Sequence, residues 1–302
     1  MKVIYDSDLL GDDFFTLKAL ADNEDIDILA VTAVGRITSA LSRAKMAQVF
    51  LEDTKRKGIP IIPGASRPLI QEPKKGCMYC HQQMLGLLSR WNEDIEYSNK
   101  LITNISAAEY IVSLLKEEND VVLLSTGPLT NIALACSLDP LIVDKVKAIY
   151  LMGGVHFAKG NKSPVAESNI FNDVDAASIV FDRFKNIHVI PLDVTLKFVI
   201  NEETASAIFD KFFRDVSLSC CLSHKDRGDE SIMPMHDYLA YIAMIDDKAL
   251  SYKPCDIKID ISGSLSRGKM CVDFNDNGKH LYAISFDEAR CFEHYFNDFR
   301  GM

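Results

Sequence analysis

The stretch Val3-Ile4-Tyr5-Asp6-Ser7-Asp8-Leu9-Leu10-Gly11-Asp12-Asp13, running on into Phe14-Phe15-Thr16-Leu17-Lys18-Ala19-Leu20, decides the fold. A short apolar run gives way to a glycine-containing turn and then to a helix-forming apolar segment, the opening strand and helix of an α/β sheet. The turn carries four carboxylates, Asp6, Asp8, Asp12 and Asp13. Carboxylates this close repel one another unless a cation intervenes or some stay protonated, and a hard divalent ion with oxygen ligands is the usual solution. Capping of the next helix by Asp8 or Asp12 explains one or two of them, not four. Open α/β sheets place ligands at the carboxyl ends of strands, where this turn lies.

Outward from the turn, strand-like runs alternate with helical ones. Ile26 to Val34 is followed by Ser39 to Leu51, then Pro60 to Pro63, Ala107 to Leu115 and Val121 to Ser125. The alternation continues through Asn131 to Cys136, Ala148 to Met152, Ala176 to Phe181 and His188 to Leu192. This is the bookkeeping of βαβ units and predicts an open, mostly parallel β-sheet flanked by helices, Rossmann-like in class. After Asp193 the sequence turns helix-rich, and a strand-rich tail from Cys255 to Ser285 precedes a final helix near Glu288 to Phe296. No linker, repeat or low-complexity tract divides the chain, so residues 1–302 read as one domain. Two stretches resist assignment, about 71–83 and 223–234, and read as mobile loops near the active site, leading to His81 and His236.

The chain of 302 residues is 48% hydrophobic, enough for a continuous core. Its formal charge of -10 and the lack of any Lys/Arg cluster argue against nucleic acid as a partner. With no apolar run of membrane-spanning length and no leader-like start, a cytoplasmic protein without membrane contact is expected. The eight cysteines include the adjacent pair Cys220-Cys221 and are expected to be reduced. Cys77-Met78-Tyr79-Cys80-His81 matches the C-x-x-C-H haem-attachment pattern, but such haem is normally attached outside the cytosol. Zinc would need a second, regularly spaced ligand pair, so thiols beside a loop are the expectation.

Further polar groups gather at the ends of predicted strands. Ser125-Thr126-Gly127-Pro128-Leu129-Thr130-Asn131 follows Val121 to Leu124, and Thr126 can offer a backbone carbonyl to a metal. Ala148 to Met152 ends in Gly153-Gly154, where the missing side chains would let a ligand approach the backbone. The segment Gly160 to Asn169 is dense in hydrogen-bonding side chains, and Asn161, Glu167 and Asn169 suit vicinal hydroxyls. His236-Asp237 adds an acid/base group beside one more potential metal ligand.

Taken in order, these segments resemble the motifs of the inosine-uridine-preferring nucleoside hydrolases. The D-x-D-x-x-x-D-D turn is Asp6 to Asp13, T-G-P-L-T-N is Thr126 to Asn131, and L-M-G-G is Leu151 to Gly154. The G-N-x-x-P-x-A-E-x-N loop is Gly160 to Asn169, H-D is His236-Asp237, and R-G is Arg267-Gly268. The resemblance implies hydrolysis of the N-glycosidic bond of nucleosides to ribose and free base, with Ca²⁺ held by Asp8, Asp13, the Thr126 carbonyl and Asp237. It further implies Asp8 as the base that deprotonates a Ca²⁺-bound water. Asp12 and Asn169 would hold the ribose hydroxyls, Asn161 and Glu167 the 5′-hydroxyl, and Met152 would pack beneath the sugar. Asp237 belongs with both the metal and the substrate contacts. His236 would protonate the departing base, or His81 if its loop closes. Family analogy suggests a homodimer or homotetramer.

Departures from the pattern matter as much. Leu9-Leu10-Gly11 stands where the family usually has Pro-Gly, with the aspartate spacing kept, and Gly86-Leu87 falls one residue later than the family's H-G-x-x-G-L. More seriously, Val34-Gly35-Arg36 occupies the place of the family's Gly-Asn, whose Asn lies near the catalytic water. A guanidinium cannot accept a hydrogen bond from that water. Pointing inward, Arg36 would compete with calcium or weaken Asp8 as a base; pointing outward, the site merely lacks one ligand. Haloacid dehalogenase phosphatases also follow a first strand with D-x-D, but Leu9-Leu10 does not fit their next residues and Asp12-Asp13 has no role there. The remaining rival is a catalytically impaired nucleoside- or ribose-binding protein of the same fold, distinguished by whether ribose is released.

Overall fold

The computed structural model describes residues 1–36, 38–72, 81–208, 210–226 and 230–299, with backbone alone over 81–84 and 223–226. Among these, twelve strands appear in chain order: β1 (Lys2–Ser7), β2 (Asp27–Ala33), β3 (Pro60–Pro63), β4 (Lys100–Leu101), β5 (Val121–Ser125) and β6 (Val146–Met152), then β7 (Ile187–Ile190), β8 (Val199–Asn201), β9 (Ile232–Pro234), β10 (Leu250–Ile259), β11 (Met270–Phe274) and β12 (His280–Phe286). Ten form one sheet in the order β11-β10-β12-β7-β6-β5-β1-β2-β3-β4, and β8 pairs with β9 in a small separate sheet. Every pairing from β12·β7 to β3·β4 is parallel, whereas β10 runs antiparallel to β11 and β12. The open, mostly parallel α/β sheet expected from the sequence is therefore the observed fold.

The strand order explains where the site must be. From β1 the chain steps outward through β2, β3 and β4, then returns to the other side of β1 as β5 and steps away through β6 and β7. A crevice opens beyond the carboxyl ends of β1 and β5, where the direction of winding reverses, and such switch points bind ligands in open α/β folds.

Alternation along each strand feeds two cores. Val3 and Tyr5 of β1 face a cluster with the helices Asp13–Asp22, Ala40–Glu52 and His236–Ile245. Ile4 faces the opposite cluster, under the helices Ala107–Glu117, Thr130–Leu138 and Val174–Arg183. Because both faces are covered, β5 is buried along its whole length, as near-continuous apolar parallel strands require. Local capping agrees with the packing: the Ser39 hydroxyl accepts from the Ser42 amide, and Ser106 with Glu109 forms a reciprocal capping box.

The two unassigned stretches are more ordered than expected in part. Residues 81–83 begin the helix His81–Arg90, residues 223–226 end the helix Lys211–Asp226, and Ile232–Pro234 is β9. Residues 73–80, with Cys77 and Cys80 among them, and 227–229 lie outside the described residues. The six described cysteines are free thiols, five of them buried. No helix among the described residues is long and apolar enough to cross a membrane.

Candidate active site

The turn after β1 is built around Asp13, which is 1% exposed. Its Oδ1 accepts from the hydroxyls of Tyr5 at 3.1 Å, Ser7 at 2.7 Å and Thr126 at 2.5 Å, and its Oδ2 accepts from the Leu10 amide at 2.7 Å. One carboxylate thus ties β1, its turn and the turn after β5 together. Gly127 lets those two turns meet, since a Cβ there would lie 2.8 Å from the Asp8 amide nitrogen and 2.8 Å from a Val34 methyl. Asp6 takes no part in this. Strand alternation turns it to the opposite face, where it accepts from Thr32 Oγ1 at 2.6 Å and Asn131 Nδ2 at 2.8 Å. Three of the four clustered aspartates therefore reach the crevice, and Asp237 supplies another carboxylate from elsewhere in the chain.

Asp237 and His236 arrive through the small sheet. β9 pairs with β8, the Met235 amide donates to the Phe198 carbonyl at 2.9 Å, and the helix His236–Ile245 starts there. The Asp237 amide donates to Asp12 Oδ2 at 2.8 Å, which locks this helix start to the acidic turn. His236 Nδ1 lies 2.7 Å from Thr195 Oγ1, fixing the ring plane.

These groups line one cavity of about 230 Å³. Its lining includes Asp8, Asp12, Asp13, Thr126, His236 and Asp237 together with Met152, Asn161, Glu167 and Asn169. Of the site residues named from sequence, only His81 is missing: it opens its helix, but its side chain lies outside the described residues. Asn169 Nδ2 donates to the carbonyls of Thr126 at 3.1 Å and Met152 at 3.0 Å, spanning the ends of β5 and β6. Glu167 caps the helix Ser168–Asn172, accepting from the amides of Asn169 at 2.7 Å and Ile170 at 3.1 Å, and it also accepts from Gly154 at 3.0 Å. The space beside Gly153-Gly154 is filled by the protein, not left open for a ligand: a Cβ at Gly154 would meet Met270 at 2.3 Å. Arg267-Gly268 stands apart from the cavity, with Arg267 paired to Asp175 at 2.6 Å.

Electrostatics in the cavity follow from burial and crowding. Burial pushes Asp12 up to about 6, with the Asp237 amide pulling the other way. Asp13 and Asp237 are pushed well above the usual carboxylate range, first by burial and then by their acidic neighbours. Carboxylates raised by one another's charge are a site that gains from a cation. The donor set of Asp8, Asp13 and Asp237 carboxylates with the Thr126 carbonyl is all oxygen and suits a hard divalent ion. Yet among the described residues no three His, Cys, Asp or Glu side chains are already drawn together as a cage.

Arg36 lies against this donor set. Its side chain points inward: Nη1 donates to Asp8 Oδ2 at 2.7 Å and Nη2 to Ser168 Oγ at 2.5 Å. Asp8 is 2% exposed, and the neighbouring charges of Asp8, Glu167 and Asp13 raise the arginine pKa against the opposing effect of burial. Sequence reasoning left the direction of Arg36 open and missed Ser168 and Arg43 altogether. Arg43 is fully buried and donates from Nη1 to the Leu9 carbonyl at 3.1 Å, holding the acidic turn from behind. Its signal was legible, for a basic residue falls on the apolar stripe Ala40, Ala44, Ala47, Leu51. Ser168 had none beyond its place between Glu167 and Asn169.

The sequence profile of the inosine-uridine preferring nucleoside hydrolases matches residues 3–293. Over 308 aligned residues the chain is 30% identical to the inosine-uridine preferring nucleoside hydrolase of Leishmania major, covering 96% of this chain and 95% of that protein. It is 27% identical to uridine nucleosidase 1 of Arabidopsis thaliana, covering 87% and 79%. Among solved structures, the plant nucleoside hydrolase PpNRh1 superposes with a TM-score of 0.88 at 22% identity, covering 100% of this chain and 99% of that one. The purine-preferring ribonucleoside hydrolase of Gardnerella vaginalis gives 0.87 at 24% identity, covering 100% and 98%. Fold and site define an open α/β protein with an acidic, polar pocket at a sheet switch point. The chain belongs to the inosine-uridine preferring nucleoside hydrolase family, whose reaction is hydrolysis of the N-glycosidic bond of ribonucleosides.

Proposed function

We propose that this protein releases free base and ribose from ribonucleosides, with Asp8 as general base and His236 as general acid. The observation that carries this is the gathering of Asp8, Asp12, Asp13, Asp237, Glu167 and Asn169 in one cavity at the β1/β5 switch. Asp8 takes a proton from water as its oxygen bonds to C1′ of the ribose. The C1′–N bond breaks with its electron pair going to the base, and His236, oriented by Thr195, supplies a proton to that base. Asp12 and Asn169 hold the vicinal hydroxyls, Asn161 and Glu167 the 5′-hydroxyl, and Met152 supports the sugar. As the bond lengthens, positive charge grows on the ribose, and the surrounding carboxylates stabilise it. Asp8, Asp13, Asp237 and the Thr126 carbonyl would hold Ca²⁺. That ion, when bound, orients hydroxyls and lowers the pKa of water.

The test is free ribose measured over a panel of purine and pyrimidine nucleosides, with and without chelator. Ribose release that chelation abolishes and Ca²⁺ restores is the expected outcome; release unaffected by chelator would remove the ion from the mechanism. The Arg36–Asp8 pair favours one second reading, a nucleoside- or ribose-binding protein in which the base is held inactive. Ribose binding without turnover of any nucleoside, at any calcium level, would select it.

A further inference from the structure

Arg36 sits where a cation is wanted and brings a charge of its own. Its guanidinium stays protonated at any working pH and presents a planar fork of donors. One arm lies 2.7 Å from Asp8 Oδ2, the other 2.5 Å from Ser168 Oγ, and Nε is buried with no partner among the described residues. The side chain of Arg36 is 19% exposed and that of Asp8 2%, so water screens the pair weakly. Asp13 keeps both carboxylate oxygens in hydrogen bonds, and Asp12 accepts from the Asp237 amide. Arg36 thus occupies one of the two carboxylate oxygens with which Asp8 would hold a divalent ion.

We propose that Arg36 is a built-in counter-cation which competes with the divalent ion for Asp8, so that metal loading requires the guanidinium to leave and the calcium affinity of the site is set by this residue. The inference rests on the calcium reading above and adds to it a device that belongs to this chain's own sequence. The guanidinium neutralises one carboxylate of the turn without metal, which keeps the metal-free site folded. A divalent ion must then outbid a charge-assisted, largely desolvated hydrogen bond before it gains Asp8 as a ligand. Ser168 acts as the second anchor that holds the fork in place.

Calorimetric titration of chelator-stripped protein with CaCl₂, without substrate, tests this. Such a hydrogen bond to a charged group contributes about 1.5–3 kcal/mol, so Arg36→Asn should bind calcium about ten- to hundredfold more tightly than the parent. In chelator the same variant should melt at lower temperature than the parent, because the repulsion within the turn is then unrelieved, and calcium should raise its Tm by more. Ser168→Ala changes no charge and should tighten calcium binding by a few-fold. Equal calcium affinity in the parent and both variants would overturn the proposal while leaving the metal reading intact. Failure of parent and variants alike to bind calcium would overturn both. Should Arg36→Asn not fold, Ser168→Ala decides: unchanged or weaker calcium binding counts against the proposal.

Discussion

Leu9 adopts φ 49° although it is a branched, fully buried residue, a conformation L side chains pay to adopt. The turn is pinned on both sides of that residue, since the Leu9 amide donates to Ser7 Oγ at 2.9 Å and its carbonyl accepts from Arg43. The strain is therefore held at the position that sets the direction of Asp8. Replacing Asp8 by Asn keeps the shape and removes the proton acceptor, and loss of a positioned base costs about 10²- to 10⁴-fold. Turnover of a nucleoside at saturating calcium should fall by that factor, and an Asp8→Asn protein retaining more than half the parental rate would exclude Asp8 as the base. The period of β1 sets the side that Asp6 faces, which grouping it with the other three aspartates overlooked, and the helical stripe likewise carries the burial of Arg43, which was missed. The direction of Arg36 was not legible, because it lies between β2 and the next helix, where no period says which way a side chain points.

Turns after strands are the elements that assemble the site, and the turns after β1 and β5 meet closely at Gly127. A methyl group at Gly127 has no room beside the Asp8 amide and Val34, so Gly127→Ala must push the two turns apart. The expected cost is about 1–3 kcal/mol of stability, as for other overpacked positions, with a loss of activity larger than that stability change alone would give. Thermal melting together with turnover measures both; an Ala variant with parental Tm and rate would show that the contact yields freely. The elements of the parallel sheet were readable because burial on both faces leaves long apolar runs, as at Val121–Ser125. Lys100–Leu101 is two residues long and Ile232–Pro234 three, too short for any pattern to emerge from sequence. Their existence depends on the neighbours they pair with, β3 and β8. So the strand that delivers His236 was hidden in a stretch read as a loop.

Across the whole molecule, the sheet that creates the switch point also continues past β7 into the antiparallel edge of β12, β10 and β11, and the join carries a titratable group that is not part of the cavity lining. His188 on β7 packs against Tyr150 of β6 with the rings tilted by 33° and their centroids 4.4 Å apart, and meets Tyr252 of β10 edge-on at 5.4 Å. Its Nε2 lies 3.1 Å from Asn186 Oδ1, while its Nδ1 and the Tyr252 hydroxyl are buried without partners among the described residues. Burial lowers the His188 pKa from 6.5 to about 4, and burial also raises both tyrosines, which stay neutral. The native imidazole is therefore neutral where the unfolded chain already binds a proton. The sign follows: this contribution to stability is complete above the unfolded pKa of about 6.5 and is lost as pH falls through that value toward about 4, below which both states are protonated. His188→Phe keeps an aromatic ring between the two tyrosines and removes the proton. Between about pH 7 and about pH 4.5 the parent should lose several degrees more in Tm than the variant, since each kcal/mol is about 2–4 °C in a chain of this size. Measured in chelator and again in saturating calcium, that difference should persist, because the histidine touches none of the carboxylates of the cavity; equal losses in parent and variant would show that His188 is not the group that makes the sheet sensitive to acid.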